Sequence, residues 1–278
     1  MYFSKRYTNN LFKYLTIIAL YCFLLFKNCS IPSIWEYDGF ACFTIAFSYI
    51  TPKSYTDIVN FIITIFPTIW IIYCYSDYML SDFMTNYIYV FTRMGTKRNW
   101  LIKKCRSLLF ELAGLYLSLF IMTFIFSIYF GYNFNNNGME MLRMLLSLYI
   151  LNLLFHFLII FIVNIMSLAL GSHKVFFITT IIYMSMLILS MVFYGNNNFT
   201  YYFTTVSPLT QHMYYWHDNI VIPIQLASLS EHSINNFNII KSICLLIIYI
   251  VITYIFSYRF INKNDLSSII GEDVLWNQ

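Results

Sequence analysis

The chain has 278 residues, 60% of them hydrophobic and only 10% Asp, Glu, Lys or Arg, with a net charge of +4. Soluble proteins run at about 45–50% apolar and about 25% charged, so this chain has too few charges to coat a water-soluble particle, and its mean hydropathy of +0.67 agrees. The composition excludes an ordinary soluble domain and points to a polytopic membrane protein.

A spanning helix needs about 20 mostly apolar residues, because the hydrocarbon core is about 30 Å thick. Backbone groups in lipid must satisfy one another, which leaves helices or a closed barrel. The apolar runs are long and do not alternate with period two, so the expected fold is all-α. In chain order, the first span is 11–28, with Lys13 and Lys27 at its ends able to snorkel. No small-x-small cleavage site follows it, so it is expected to be retained. Residues 39–50 are apolar but too short to cross and read as interfacial or re-entrant. The second span is 58–76, kinked at Pro67. Spans three to six are 112–130, 144–170, 175–194 and 239–258. Two long connections separate them, 81–106 and 195–238.

Basic residues set the orientation. With the N-terminus inside, the inner segments hold twelve of the sixteen Lys and Arg and the outer segments hold Lys27, Lys53, Arg143 and Lys241. Six spans with both termini cytoplasmic are therefore expected, as a single transmembrane domain over 1–278. Richness in Ile, Asn, Lys, Phe and Tyr points to the A/T-rich genome of a low-GC bacterium, and so to its plasma membrane. No C-x-x-C pair occurs. Cys29 and Cys42 are the two cysteines expected to share an outer aqueous face, as free thiols or a disulfide.

In the cytoplasmic segment, Phe83, Tyr87 and Phe91 recur at helical spacing on one face. Gly95 is a natural stop, and Thr96 can cap a second short helix that shows Trp100 and Leu101 among Lys97, Arg98, Lys103 and Lys104. The segment reads either as a basic loop on anionic lipid or as a docking helix for a cytoplasmic partner. In span four, Asn152, His156 and Asn164 share one broad face. They read as glue between helices or as a polar strip along a pathway or dimer seam. Glu111, near the inner end of span three, is expected to pair with Arg106, Lys104 or a neighbouring helix. In the external segment, Tyr214, Tyr215 and Trp216 suit the headgroup level. His212, His217, Asp218, Glu231 and His232 have poor spacing for zinc, and no metal site is expected. Neither G-x-S-x-G nor H-E-x-x-H occurs, so no catalytic residues are assigned.

The layout resembles the membrane subunit of type-2 ABC exporter permeases, the ABC-2 family, especially the small ones beside bacteriocin-immunity and peptide-export ATPases. The resemblance rests on a basic N-terminal segment before six spans and an acidic residue, Asp77 or Asp82, at the inner end of span two. It rests further on the break Arg93-Met94-Gly95-Thr96-Lys97-Arg98, a long external segment with Ser207-Pro208, and a short basic end, Arg259 to Lys263. The stretch from Ser30 to Asp57 is longer than such a permease needs.

The resemblance implies that 81–106 couples to a separate cytoplasmic ABC ATPase through Phe83, Tyr87, Phe91, Arg93, Lys97, Arg98 and Trp100, and that 195–238 forms an external gate with Tyr214, Tyr215 and Trp216. It implies a second permease subunit, identical or related, and a hydrophobic peptide, bacteriocin, lipid or drug as cargo. The chain lacks G-x-x-x-x-G-K-[ST], so ATP and Mg would sit on the partner ATPase, with no cofactor on this chain. No nucleic-acid partner is expected. The competing reading is a stand-alone membrane immunity or scaffold protein without a transport cycle, and a third is a membrane enzyme with an unrecognised site.

Overall fold

A computed structural model describes residues 2–29, 39–48, 58–82, 96–132, 134, 138–192, 197–218, 220 and 233–263. Every element among them is helical: α1 (Tyr2–Cys29), α2 (Gly39–Ser48), α3 (Ile58–Tyr75), α4 (Lys97–Tyr129), α5 (Gly138–Leu170), α6 (Ser172–Val192), α7 (Asn197–Val206), a single 3₁₀ turn at Tyr214–Trp216, and α8 (Ile239–Lys263). Four of them, α4, α5, α6 and α8, are long and apolar enough to cross a membrane, and α1 carries a shorter apolar stretch, Phe12–Phe26.

The core forms around α5, which packs against α2, α3, α4, α6 and α8. Leu148, Leu151, Phe155, Ile160 and Val163 of α5 are fully buried. Outer helices bury only a stripe. On α8, Leu246 is inside while Ile247, Ile248, Val251, Ile252, Ile255 and Phe256 are exposed. An exposed surface that apolar is stable facing acyl chains and not water. Gly171, at φ 82°, reverses the chain between α5 and α6, a conformation in which a Cβ is strained.

Residues 39–48 are a helix enclosed by protein. Cys42, Phe43, Thr44 and Phe47 of α2 are buried, and Phe47 stacks on Phe120 of α4 with ring centroids 4.4 Å apart. This corrects the expectation for Cys42, whose thiol packs near Tyr132 and Phe130 and has no aqueous face.

A second correction concerns α4. Thr96 caps it, its hydroxyl accepting from the Asn99 N–H at 3.2 Å, but the helix runs without a break to Tyr129. The expected short helix at Thr96 is the projecting start of the long apolar helix α4. At 33 residues α4 is about 50 Å long, so its basic first turns extend beyond a hydrocarbon core of about 30 Å.

Candidate functional site

The residues singled out from the sequence fall into two clusters and one gap. Phe83, Tyr87, Phe91 and Arg93 lie outside the described residues, as do Glu231 and His232. The first cluster is at the end of the bundle where α3 stops and α4 starts. Lys104 Nζ lies 2.8 Å from Asp82 Oδ2, both largely enclosed, and the Trp100 indole N–H donates to the same carboxylate at 3.2 Å. Lys104 also lies 4.7 Å over the Tyr78 ring. The Tyr78 hydroxyl donates to Glu111 Oε1 at 2.7 Å. Of the partners expected for Glu111, Arg106, Lys104 or a neighbouring helix, it thus meets the last, through a phenol just beyond the end of α3. Lys97 Nζ donates to the Ile261 carbonyl at 3.0 Å, joining α4 to the end of α8.

Trp100 and Leu101 are not offered to a partner. Both are fully buried, packed with Phe161, Leu168 and Ile261. Of the docking residues inside the described part, Arg98 alone is on the exposed face, and Lys97 is half-buried.

The polar face of α5 turns inward, so it forms no outer dimer seam: Asn152, His156 and Asn164 are 3%, 1% and 0% exposed. Asn164 is a clamp. Its amide donates to the Tyr75 carbonyl at 2.8 Å and its Oδ1 accepts from the Met79 N–H at 2.7 Å. Ser167, one turn on, donates to the Ser76 carbonyl at 3.1 Å. The Met79 N–H and the Ser76 carbonyl thus find partners on α5 where α3 ends, and the Tyr75 carbonyl, which also accepts from the Tyr78 N–H, gains a second donor. Asn152 donates only within its own helix, to the Leu148 carbonyl.

His156 belongs to the second cluster. Its Nδ1 is 2.9 Å from the Asn152 carbonyl and 2.7 Å from the Tyr116 hydroxyl. Nε2 is buried without a hydrogen-bond partner, and so is His212 Nδ1. The two rings are 6.4 Å apart and nearly perpendicular. His212 stacks on Phe155 at 3.7 Å, and its Nε2 lies 3.4 Å from the Tyr183 hydroxyl of α6.

His212 reaches the middle of α5 because residues 207–217 fold back into the bundle, all but Pro208 of them buried. The turn ties side chains back to its own backbone. Thr210 donates to the carbonyls of Thr204 and Ser207, and Gln211 donates to those of Thr205 and Ser207. His217 has Ser242 Oγ at 2.8 Å and the Tyr214 carbonyl at 3.1 Å, and stacks on Phe237 at 4.2 Å. Burial pushes the His217 imidazole down to about 4. It holds His212 well below the usual histidine range, with His156 nearby adding to the effect.

Tyr214, Tyr215 and Trp216 are 1%, 0% and 0% exposed. They are enclosed by protein, where exposure to headgroups was expected. Their rings fill protein interior, with the turn packed against α2. Sequence reasoning identified His212 only as a poor zinc ligand. Its meeting with His156 left no local signal, because the two are far apart in the chain. Among the described residues no three His, Cys, Asp or Glu side chains converge to hold a metal ion. No family model matches the chain, and no curated protein or solved structure matches it.

Proposed function

We propose that the chain is the permease subunit of an ATP-driven ABC-2 exporter in the plasma membrane of a low-GC bacterium. In this reading α1 and α3 complete the four long apolar helices to six spans, with both termini cytoplasmic. A separate ATPase docks on 81–106, and a second permease subunit completes the pathway. The observation that carries the reading is the re-entrant segment. Between the last two long helices, a stretch with its own hydrogen-bonded turns dips back against the central helix, as the exit-closing segment of such a permease would. The cargo is a hydrophobic peptide, bacteriocin, lipid or drug.

Exposed ion pairs are weak and screened by salt, so the apolar face with Phe83, Tyr87 and Phe91 carries more of the ATPase affinity than the basic residues do. Tyr87→Asp and Phe91→Asp each put a charge on that face. Affinity purification of the variants is expected to lose the ATPase while membrane insertion is kept. Full ATPase retention with full ATP-dependent activity in both would move docking elsewhere. Orientation is tested with a membrane-impermeant thiol reagent on intact cells: Asp218→Cys is expected to be labelled and Arg98→Cys spared, and the reverse pattern inverts the topology.

A second reading is favoured by the filled interior. Phe155, His212 and the aromatic turn 214–216 are close-packed within one chain, as a stand-alone immunity or scaffold protein without a transport cycle would need. Absence of any copurifying ATPase from wild-type membranes would select it.

A further inference from the structure

A cleft of about 400 Å³ opens between α1, the end of α3 and the turn into α6, lined by Phe12, Lys13, Trp70, Tyr73, Asp77 and His173 among others. Its volume is within the usual range of small-molecule sites, about 300–1,000 Å³. Three features of its lining define the ligand chemistry.

The first is charge. Lys13 Nζ and Asp77 Oδ1 are 3.1 Å apart, with side chains 36% and 50% exposed. The pair is accessible and neutral as a whole. A ligand of one sign would meet a like charge; a zwitterion pairs with both at once. The second feature is depth. The apolar stretch of α1 begins at Phe12, and α3 ends at Tyr75, two residues before Asp77. The charged rim therefore stands where both apolar runs stop, the level of lipid headgroups. On the hydrocarbon side of it the lip is apolar and opens outward at Tyr73, 40% exposed, and Phe12, 68% exposed, stands beside Lys13 at the rim. The third feature is the wall. The Trp70 N–H donates to Thr16 Oγ1 at 3.1 Å, and the Trp70 and Tyr73 rings lean on each other at 5.3 Å. Rings packed together form a wall beside the carboxylate, not an open cage around a quaternary ammonium.

From this we infer that the cleft binds the headgroup of a zwitterionic aminophospholipid of the phosphatidylethanolamine type. The primary ammonium donates to Asp77 against the Trp70 wall, the phosphate accepts from Lys13 and from His173 across the cleft, and the acyl chains leave past Tyr73. The inference does not rest on the exporter reading, because it requires neither an ATPase nor a pathway.

The test is native mass spectrometry of the purified full-length chain with phosphatidylethanolamine, phosphatidylcholine and phosphatidylglycerol in competition. Charge-assisted hydrogen bonds are the stronger class, and the wild type is expected to retain phosphatidylethanolamine over each of the others by about tenfold. Asp77→Asn leaves a lone cation and is expected to switch the preference to phosphatidylglycerol. That gain of selectivity is not produced by misfolding. Lys13→Gln, which leaves a lone anion, is expected to lower phosphatidylethanolamine retention by a similar factor with no gain for phosphatidylglycerol; it serves as the second variant if Asp77→Asn does not fold. Equal retention of the three lipids by the wild type, or an unchanged preference in both variants, overturns the assignment. Soluble glycerophosphoethanolamine is expected to compete poorly. If it competes as well as the lipid, the site takes a free zwitterion and the lipid assignment falls.

Discussion

At the scale of single residues, Asn164 and His217 show how the same requirement, no buried polar atom left alone, produces different sensitivities. Asn164 ties two backbone groups of the α3 end to α5. Asn164→Leu would leave the Met79 N–H buried without its partner, at about 1–3 kcal/mol, while the Tyr75 carbonyl keeps the Tyr78 N–H. Interhelical bonds in membrane proteins are often worth less, so a loss of about 2 kcal/mol is expected, read as a lower thermal midpoint in detergent. Asn152→Leu removes only a bond within one helix and is expected to cost clearly less. The polarity of both residues was legible in the sequence, but the clamp was not, since Asn164 and Met79 are 85 positions apart. For His217 the sensitivity is to pH. Burial lowers its pKa to about 4, against about 6.5 for an unfolded histidine. Between those values the unfolded segment binds more protons than the folded one, so stability rises with pH through the window and is lost as pH falls from about 6.5 to about 4. The full linkage is on the order of 3 kcal/mol. Hydrogen exchange at the Trp216 and Asp218 amides, both bonded within this fold, is expected to accelerate over that window. His217→Gln should flatten the part due to His217 and leave that of His212, which is lowered in the same direction. An exchange rate independent of pH after correction for intrinsic chemistry would contradict a neutral buried His217.

At the scale of elements, the apolar runs were legible because lipid demands them, and their ends were not. The run 112–130 lies inside a helix that begins at Lys97, and 144–170 inside one that begins at Gly138. Hydrophobicity marks the part of a helix in hydrocarbon, while the helix continues wherever caps and neighbours support it, as Thr96 and the Asp82–Lys104 pair do for α4. The short α2 was half legible. Its length ruled out crossing, but only tertiary packing reveals that it is enclosed by α1, α4 and α5. Its first residue is fixed by a close approach: a Cβ at Gly39 would lie 2.5 Å from the Phe134 ring, which in turn packs 5.2 Å from Phe124. Leucine is a far better helix former than glycine, so Gly39→Leu would stabilise an isolated helix. Here it is expected to destabilise by about 1–3 kcal/mol through overpacking. Phe134→Ala in the same chain should restore much of the loss, because the clash is with that ring. A thermal midpoint for Gly39→Leu equal to or above wild type would show that α2 can slide without cost.

At the scale of the whole molecule, the bundle is built around α5, and the segment 207–217 is part of its core. This changes how the gate idea must be tested. Trimming 195–238 to a short link would remove Tyr214, Tyr215 and Trp216 from the interior, and loss of function would then follow from a hollowed core whether or not the segment moves. Immobilising it without removing it separates the cases. His212 and Phe155 are stacked at 3.7 Å, so cysteines at these two positions, in a chain whose native cysteines are replaced, lie within reach of a short bifunctional thiol reagent. A permease whose exit is closed by this segment must draw His212 away from Phe155 to release cargo. Cross-linking is then expected to stop ATP-driven export while the ATPase stays bound, and cleavage of the link by reductant should restore it; each single-cysteine chain treated with the same reagent should stay active. A static core predicts the opposite, because fixing two groups that never separate changes nothing. Full export, or full immunity, from the cross-linked double-cysteine chain would assign 207–217 to the scaffold and move any pathway to the surface between two copies of the bundle.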